Sequence, residues 1–96
     1  MTSKQRAYLR GKANTIDAIF QIGKSGITDE LLKQLDNAIE ARELIKVTVL
    51  ESAPGSAKEL AIDLANGSNS EVVQTVGNKI TLFRQKKKNS KFDLSM

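Results

Sequence analysis

The four residues Gly23-Lys24-Ser25-Gly26 carry the clearest chemical signal in the sequence. They follow a short apolar run and precede a helical pattern that begins after Thr28. Glycines have no Cβ atom, so they let a backbone come close to a phosphodiester chain. The amides of such a turn can donate hydrogen bonds to phosphate oxygens, and Lys24 adds a positive charge at the tip. The loop therefore predicts a phosphate contact, with a plain structural turn as the alternative.

The residues that commonly carry catalysis are absent or poorly placed. Cys and His are both missing from the 96 residues, which excludes thiolate nucleophiles, zinc-thiolate sites and histidine bases. A nucleotide-binding P-loop would need a glycine where the chain has Ala18. The acidic residues around the second predicted helix fit a solvated helix face: Asp29, Glu30, Asp36, Glu40 and Glu43. We therefore expect no enzyme, no metal and no cofactor, and RNA processing by a magnesium-bound carboxylate pair is the catalytic alternative.

Charge is unevenly distributed along the chain, although the net charge is only +4. Residues 1–27 carry five basic groups and one acidic group, and residues 72–96 carry six basic groups and one acidic group. Between them, residues 28–71 carry four basic and nine acidic groups. If the fold brings the two basic ends together, one face becomes strongly positive and attracts polyanions. The alternative is that these charges only keep a small domain in solution.

Apolar periodicity and turn signals predict seven elements in the order α-β-α-β-α-β-β. Helices are predicted over 3–14, over 29–42 and from the capping box at Ser56 to Asn66-Gly67. The strands are predicted over 18–22, 44–50, 71–76 and 79–84, the last two joined as a hairpin by a two-residue loop. The β-α-β portion predicts parallel neighbours. These elements indicate a small two-layer α/β domain over 1–84 with a mixed four-stranded sheet and one core, followed by a basic, flexible tail over 85–96.

Several of these segments together resemble the CRM domain, the family of small bacterial YhbY-like proteins and of plant organellar splicing and ribosome-maturation factors. The resemblance covers residues 1–84 and rests on four stretches in order: KQRAYLR at 4–10, FQIGKSGIT at 20–28, ELIKV at 43–47 and VQTVGNKITLFR at 73–84. Two positions depart from the family pattern, since Asn14 stands where many members have His and Phe83 replaces a frequent Tyr. The resemblance implies a fold similar to the C-terminal domain of translation initiation factor three.

The same resemblance implies an RNA-binding protein that is not an enzyme and that associates with precursors of the large ribosomal subunit. We expect the RNA contacts to come from the loop and from basic side chains: Gly23, Lys24, Ser25, Gly26, Lys4, Arg6, Arg10, Lys79 and Arg84. Two alternatives stay open, which are a protein–protein adaptor that uses the acidic helix surface on the ribosome, and DNA binding. The sequence shows no apolar secretory region and no membrane-length apolar stretch, so we expect a cytoplasmic monomer without a membrane partner.

Overall fold

The computed structural model describes residues 1–95, and its elements follow the predicted order. The helices are α1 (Ser3–Ala13), α2 (Asp29–Arg42) and α3 (Ala57–Gly67), and the strands are β1 (Ala18–Ile22), β2 (Leu44–Val49), β3 (Glu71–Val76) and β4 (Lys79–Phe83). The predicted α/β class and mixed four-stranded sheet are confirmed, with element ends within one residue of the prediction. None of the helices in residues 1–95 is long and apolar enough to cross a membrane.

Side-chain caps fix where the helices begin. Thr2 and Ser56 open α1 and α3 with the capping boxes that the sequence predicts. In each box the capping side chain accepts a hydrogen bond from the backbone amide three residues on, whose own side chain accepts one from the amide of the capping residue. Thr28 opens α2 by accepting a hydrogen bond of 3.0 Å from the Leu31 amide. The start of α2 is therefore held directly behind the glycine loop at 23–26.

The sheet has the strand order β1-β2-β4-β3, with β1 and β2 parallel and the other pairs antiparallel. Ile22 at the end of β1 lies opposite Val49, and Lys79 lies opposite Thr48 at the start of β4. Loop 23–26 and the hairpin turn 77–78 therefore leave the sheet at the same end, which we call the loop end. At the opposite end, which we call the tail end, β2 begins and β4 runs into residues 85–95.

Helices cover both faces of this sheet. In β2, Ile45 and Val47 point to the face that α2 and α3 cover, where the larger hydrophobic cluster lies. Leu44 points to the other face and packs with Leu9 of α1 and Phe83. The structure thus has two hydrophobic clusters and not the single core that the sequence analysis expected, because α1 packs against the face opposite to α2 and α3.

The end of the segment 85–95 packs on the same face as α1, through Phe92 and Leu94. The Phe92 ring meets the Phe83 ring edge-on, with 5.5 Å between centroids and 85° between planes. The Gln5 side-chain amide in α1 donates a hydrogen bond of 2.9 Å to the Leu94 carbonyl. The flexibility of segment 85–96 stays a prediction, and these contacts are the ones that motion of the segment would have to break. Residue 96 lies outside the described residues.

Candidate nucleic-acid interface

Loop 23–26 turns back on itself between β1 and α2. The Gly26 amide donates a hydrogen bond of 2.9 Å to the Gly23 carbonyl, and Gly26 has a φ of 68°, a conformation that glycine adopts without strain. Lys24 and Ser25 at the tip are exposed. Within residues 1–95 their amides make no hydrogen bond to the protein. The loop therefore offers two free amides and one ammonium group to a phosphate.

The two glycines of this loop have different surroundings. A Cβ atom on Gly26 would come within 3.0 Å of Cγ of Pro54, and the positive φ would add strain. A Cβ atom on Gly23 would lie 3.7 Å from the Leu50 side chain, which is an ordinary contact. Gly26 therefore maintains the shape of the loop, whereas a small side chain at Gly23 fits the fold. Substitutions that probe binding belong at Gly23 or Lys24.

Lys79 reaches the loop end of the sheet from the hairpin. Its ammonium group donates a hydrogen bond of 3.3 Å to Oγ1 of Thr48. The Val49 amide donates to the Asn78 carbonyl at 2.7 Å and holds the hairpin turn against the end of β2. Because only β2 separates β1 from β4, the strand that leads into loop 23–26 and the strand that begins with Lys79 lie about 10 Å apart. The structure thus brings Lys24 and Lys79 to one end of the sheet.

A polar surface of the sheet stays open between the hairpin and α1. A shallow depression there is lined by residues that follow α1 or project from β2, β3 and β4, chiefly Asn14, Lys46, Gln74, Lys79 and Thr81. No acidic and no aromatic side chain lines this depression among the described residues. The surface suits contacts with a phosphate backbone, and it offers no stacking platform for bases.

The basic residues of α1 differ in their contacts. Lys4 and Arg10 are exposed. Arg6 is half-buried, and its guanidinium donates to the carbonyls of Val72 and Val73, where β3 has a bulge. Arg6 therefore bonds α1 to β3, whereas Lys4 and Arg10 have their charges free for a ligand. That all three contact RNA stays a prediction.

We expect the Arg6→Ala variant to lower the free energy of unfolding by about 2 kcal/mol, because charged hydrogen bonds to two carbonyls would be lost. The measurement is urea unfolding followed by circular dichroism. The control is Arg10→Ala, whose exposed side chain should change the free energy by less than about 0.5 kcal/mol. Equal effects of the two variants would show that Arg6 has no structural role.

Arg84 lies at the tail end, away from loop 23–26. Its guanidinium pairs with the carboxylates of Asp36 at 2.8 Å and Glu40 at 3.2 Å, and it also donates to the Ser68 carbonyl at 2.9 Å. Asp36 and Glu40 belong to α2, on the acidic side of the molecule. The structure therefore does not bring Arg84 together with the other predicted site residues, and an RNA phosphate would have to compete with these bonds.

Glu43 has a role that the sequence analysis missed. It directly follows α2, has a φ of 67° and is fully buried. Its carboxylate accepts hydrogen bonds from the Lys86 amide at 3.1 Å, the Ser90 hydroxyl at 2.6 Å and the Lys91 amide at 2.7 Å. Its assignment to a solvated helix face is wrong. One signal for this was available in the sequence. Glu43 stands alone between the predicted end of α2 at Arg42 and the apolar strand that begins at Leu44, so it has no loop that could carry its side chain into solvent.

Hydrogen bonding keeps Glu43 ionised in spite of its burial. Burial by itself would raise the pKa of Glu43. The hydrogen bonds from Ser90, Lys91 and Lys86, together with the positive charge of Lys86, outweigh burial and hold the pKa below the ordinary value of 4.5. The carboxylate is therefore a structural anion that fastens residues 86–91 to the domain.

The two basic ends of the sequence meet on one face of the sheet. α1 and residues 85–95 share the smaller hydrophobic cluster, whereas the acidic middle of the chain forms α2 and α3 on the other face. The fold thus brings the two basic ends of the sequence together, which is what a positively charged face requires. The face that α1 covers thus carries the basic residues of this helix. Loop 23–26 lies at the loop end of the sheet, and the lysines of 86–91 lie at the tail end, where those at 86–88 border α2.

Known proteins similar to this chain share both its sequence and its fold. The family model of the CRS1 / YhbY (CRM) domain matches residues 1–84. The chain is 45% identical over 94 residues to "Probable RNA-binding protein YqeI" of Bacillus subtilis (strain 168), with 98% of each chain covered. It is 32% identical over 85 residues to the "RNA-binding protein" of Haemophilus influenzae, covering 88% of this chain and 85% of the other. The solution structure of SAV1595 from Staphylococcus aureus matches with a TM-score of 0.82 and 46% identity, over 97% of each chain.

Proposed function

This chain belongs to the CRS1 / YhbY (CRM) domain family, and we propose that it binds structured RNA without catalysing a reaction. The names of its relatives in Bacillus subtilis and Haemophilus influenzae describe RNA-binding proteins, which supports RNA as the ligand. We further propose that the RNA is ribosomal and that the protein acts as a cytoplasmic monomer during assembly of the large subunit. The resemblance to ribosome-maturation factors supports this finer assignment.

One observation carries the proposal, which is that α1 and segment 85–95, from the two basic ends of the sequence, pack together on one face while loop 23–26 and Lys79 lie at the loop end of the same sheet. The free amides of Lys24 and Ser25 would donate to phosphate oxygens. The ammonium groups of Lys24 and Lys79 would neutralise the neighbouring phosphates at the loop end. Recognition would then depend on backbone and shape, because the open sheet surface offers no aromatic side chain for stacking.

The exposed basic residues of α1 would add to this contact. Asn14, at the end of α1, lies at the open sheet surface beside Lys46, and Gln5, near its start, contacts segment 85–95. Lys4 and Arg10 on this helix are exposed and would add positive charge beside these contacts. An RNA backbone that passes α1 would meet these exposed charges, whereas Arg6 is held by its bonds to β3.

The salt dependence of binding tests the electrostatic mechanism. If about five phosphates are neutralised, a plot of log affinity against log salt concentration should have a slope of roughly −3.5 on single-stranded RNA. The measurement is fluorescence anisotropy with labelled RNA, and duplex DNA serves as the competitor. A slope near zero would contradict a backbone contact, and equal competition by DNA would contradict RNA as the preferred ligand.

Sedimentation of cell lysate tests the ribosomal assignment. On a sucrose gradient at low salt, we expect the protein to sediment with precursors of the large subunit and to move to the top after ribonuclease treatment. Sedimentation at the top without ribonuclease would contradict the assignment. Sedimentation that survives ribonuclease but is lost in the Glu40→Lys variant would favour the adaptor, whose acidic surface no longer includes the buried Glu43.

A further inference from the structure

Six residues at the tail end, 86–91, form a compact loop around the carboxylate of Glu43, and we call them the lysine loop. The amides of Lys86 and Lys91 at its two ends both donate to this carboxylate, as does the Ser90 hydroxyl. Asn89 between them has a φ of 59°, which turns the chain back on itself. The buried carboxylate thus gives a defined shape to a segment whose composition predicts flexibility.

This shape holds four like charges close together while leaving them free. Glu43 bonds the backbone and the Ser90 hydroxyl of the loop and none of its ammonium groups. The ion pairs found within residues 1–95 are both made by Arg84, so no carboxylate there pairs with a lysine of the loop. Lys87 and Lys88 are exposed. Repulsion among the lysines opposes this arrangement, and a bound polyanion would relieve it.

The surroundings of the lysine loop carry a net positive charge although they include two acidic residues of α2. One cleft is lined by the lysines at 86–88 together with Arg84, Asp36 and Glu40. Arg84 pairs with both acidic residues and leaves one negative charge uncompensated, so the three lysines give this cleft a net excess of two positive charges. On its other side, segment 85–95 contacts the start of α1 through Gln5. Segment 85–95 therefore joins the lysine loop, which borders α2, to the start of α1.

We propose that the lysine loop is a second contact for RNA phosphates, held in shape by Glu43. This inference rests on the proposed function and adds a binding surface to it. The two contacts lie at opposite ends of β2, a strand of six residues and hence about 20 Å long. The separation fits two backbone segments of a folded RNA better than one short single strand.

Alanine substitutions of two lysines test the contact. In a plot of log affinity against log salt concentration, we expect the slope of the Lys87→Ala/Lys88→Ala variant to be less negative than that of the wild type by about 1.5. Each lost phosphate contact removes roughly 0.7–0.9 from the slope. The probe is protein-free ribosomal RNA in anisotropy titrations at several salt concentrations. The matched control is Lys33→Ala/Lys58→Ala, which removes the same charge from exposed positions on α2 and α3. This control should leave the slope unchanged.

Glu43 and Ser90 separate the shape of the loop from its charge. The Glu43→Gln variant raises the net charge from +4 to +5, so charge alone predicts tighter RNA binding. We expect severalfold weaker binding, because the loop loses the anion that shapes it. The Ser90→Ala variant removes one of these hydrogen bonds at constant charge and should weaken binding in the same direction. Circular dichroism at the titration temperature establishes that each variant is folded.

The outcomes distinguish this inference from the proposed function. If Lys87→Ala/Lys88→Ala behaves like its control while Lys24→Ala weakens binding, the lysine loop is no RNA contact and the proposed function stands. If both variants behave like the control, the proposed function fails as well. If the lysine pair lowers the slope while Glu43→Gln and Ser90→Ala bind as tightly as the wild type, the shaping role of Glu43 is wrong.

Discussion

The Lys24→Glu variant is expected to bind RNA about tenfold more weakly than the wild type at about 50 mM salt, because one phosphate contact is lost at low salt. The loop itself should keep its fold, since Lys24 is exposed and its side chain makes no hydrogen bond within residues 1–95. The measurements are anisotropy titrations with labelled ribosomal RNA and urea unfolding of both proteins. The loss of affinity should shrink as salt is raised.

Two further variants make this result specific to the loop. Lys33→Glu makes the same charge change at an exposed position of α2 and should leave the affinity within about twofold of the wild type. Gly23→Ala keeps the charge of Lys24 but adds a methyl group where the backbone of a ligand would approach, and it should also weaken binding. Unchanged affinity in both Lys24→Glu and Gly23→Ala would mean that 23–26 is only a turn.

The Glu43→Ala variant is expected to lower the free energy of unfolding by about 3 kcal/mol, because three donors lose a charged acceptor in a buried position. In a domain of this size, that change corresponds to a fall in Tm of about 15 °C. Thermal unfolding followed by circular dichroism measures it. The comparison is Glu40→Ala, which removes a largely exposed carboxylate and should cost less than about 1 kcal/mol. Equal costs would contradict the structural role of Glu43.

The pH dependence of the same residue has a definite sign. The pKa of Glu43 is lowered in the folded protein, so the ionised carboxylate favours folding. This contribution is fully present above the ordinary value of 4.5 and is lost as pH falls through the lowered pKa of the folded state. The difference in unfolding free energy between the wild type and Glu43→Gln should therefore be constant above pH 4.5 and become smaller as the pH falls below it. A difference that stays constant on acidification would contradict the ionised state of Glu43.

The sequence predicted the order of elements because its local signals agree with one another. Capping residues open the helices, apolar periodicity marks α2 and α3, and the turn at Gly77-Asn78 joins two β-branched strands. The glycine loop was found for the same reason, since Gly23 and Gly26 lie between a strand and a cap. Helix caps, strand turns and the position of the glycine loop depend on residues close in sequence, and the structure has each of these elements where the sequence predicts it.

The features that were missed depend on residues far apart in sequence. Glu43 reads as one more exposed acid of α2, and only the return of residues 86–91 onto β2 makes it a buried acceptor. Arg6 reads as one of three basic residues on α1, yet its partners lie more than sixty residues away on β3. The placement of α1 on the opposite face from α2 and α3 likewise depends on alternation in β2, where both Leu44 and Ile45 are buried.

The bond between Arg6 and β3 also bears on how the protein avoids aggregation. β3 is an edge strand with the sequence EVVQTV, which contains no lysine and no proline, and Val76 on it is exposed. Such an edge is a template on which a strand of another molecule can add. The bulge at Val72 and Val73 interrupts this template, and the guanidinium of Arg6 occupies the carbonyls there. The hydrogen bonds of Arg6 thereby leave fewer free carbonyls for pairing with a strand of another molecule. Removal of the Arg6 side chain would favour concentration-dependent association through intermolecular sheets.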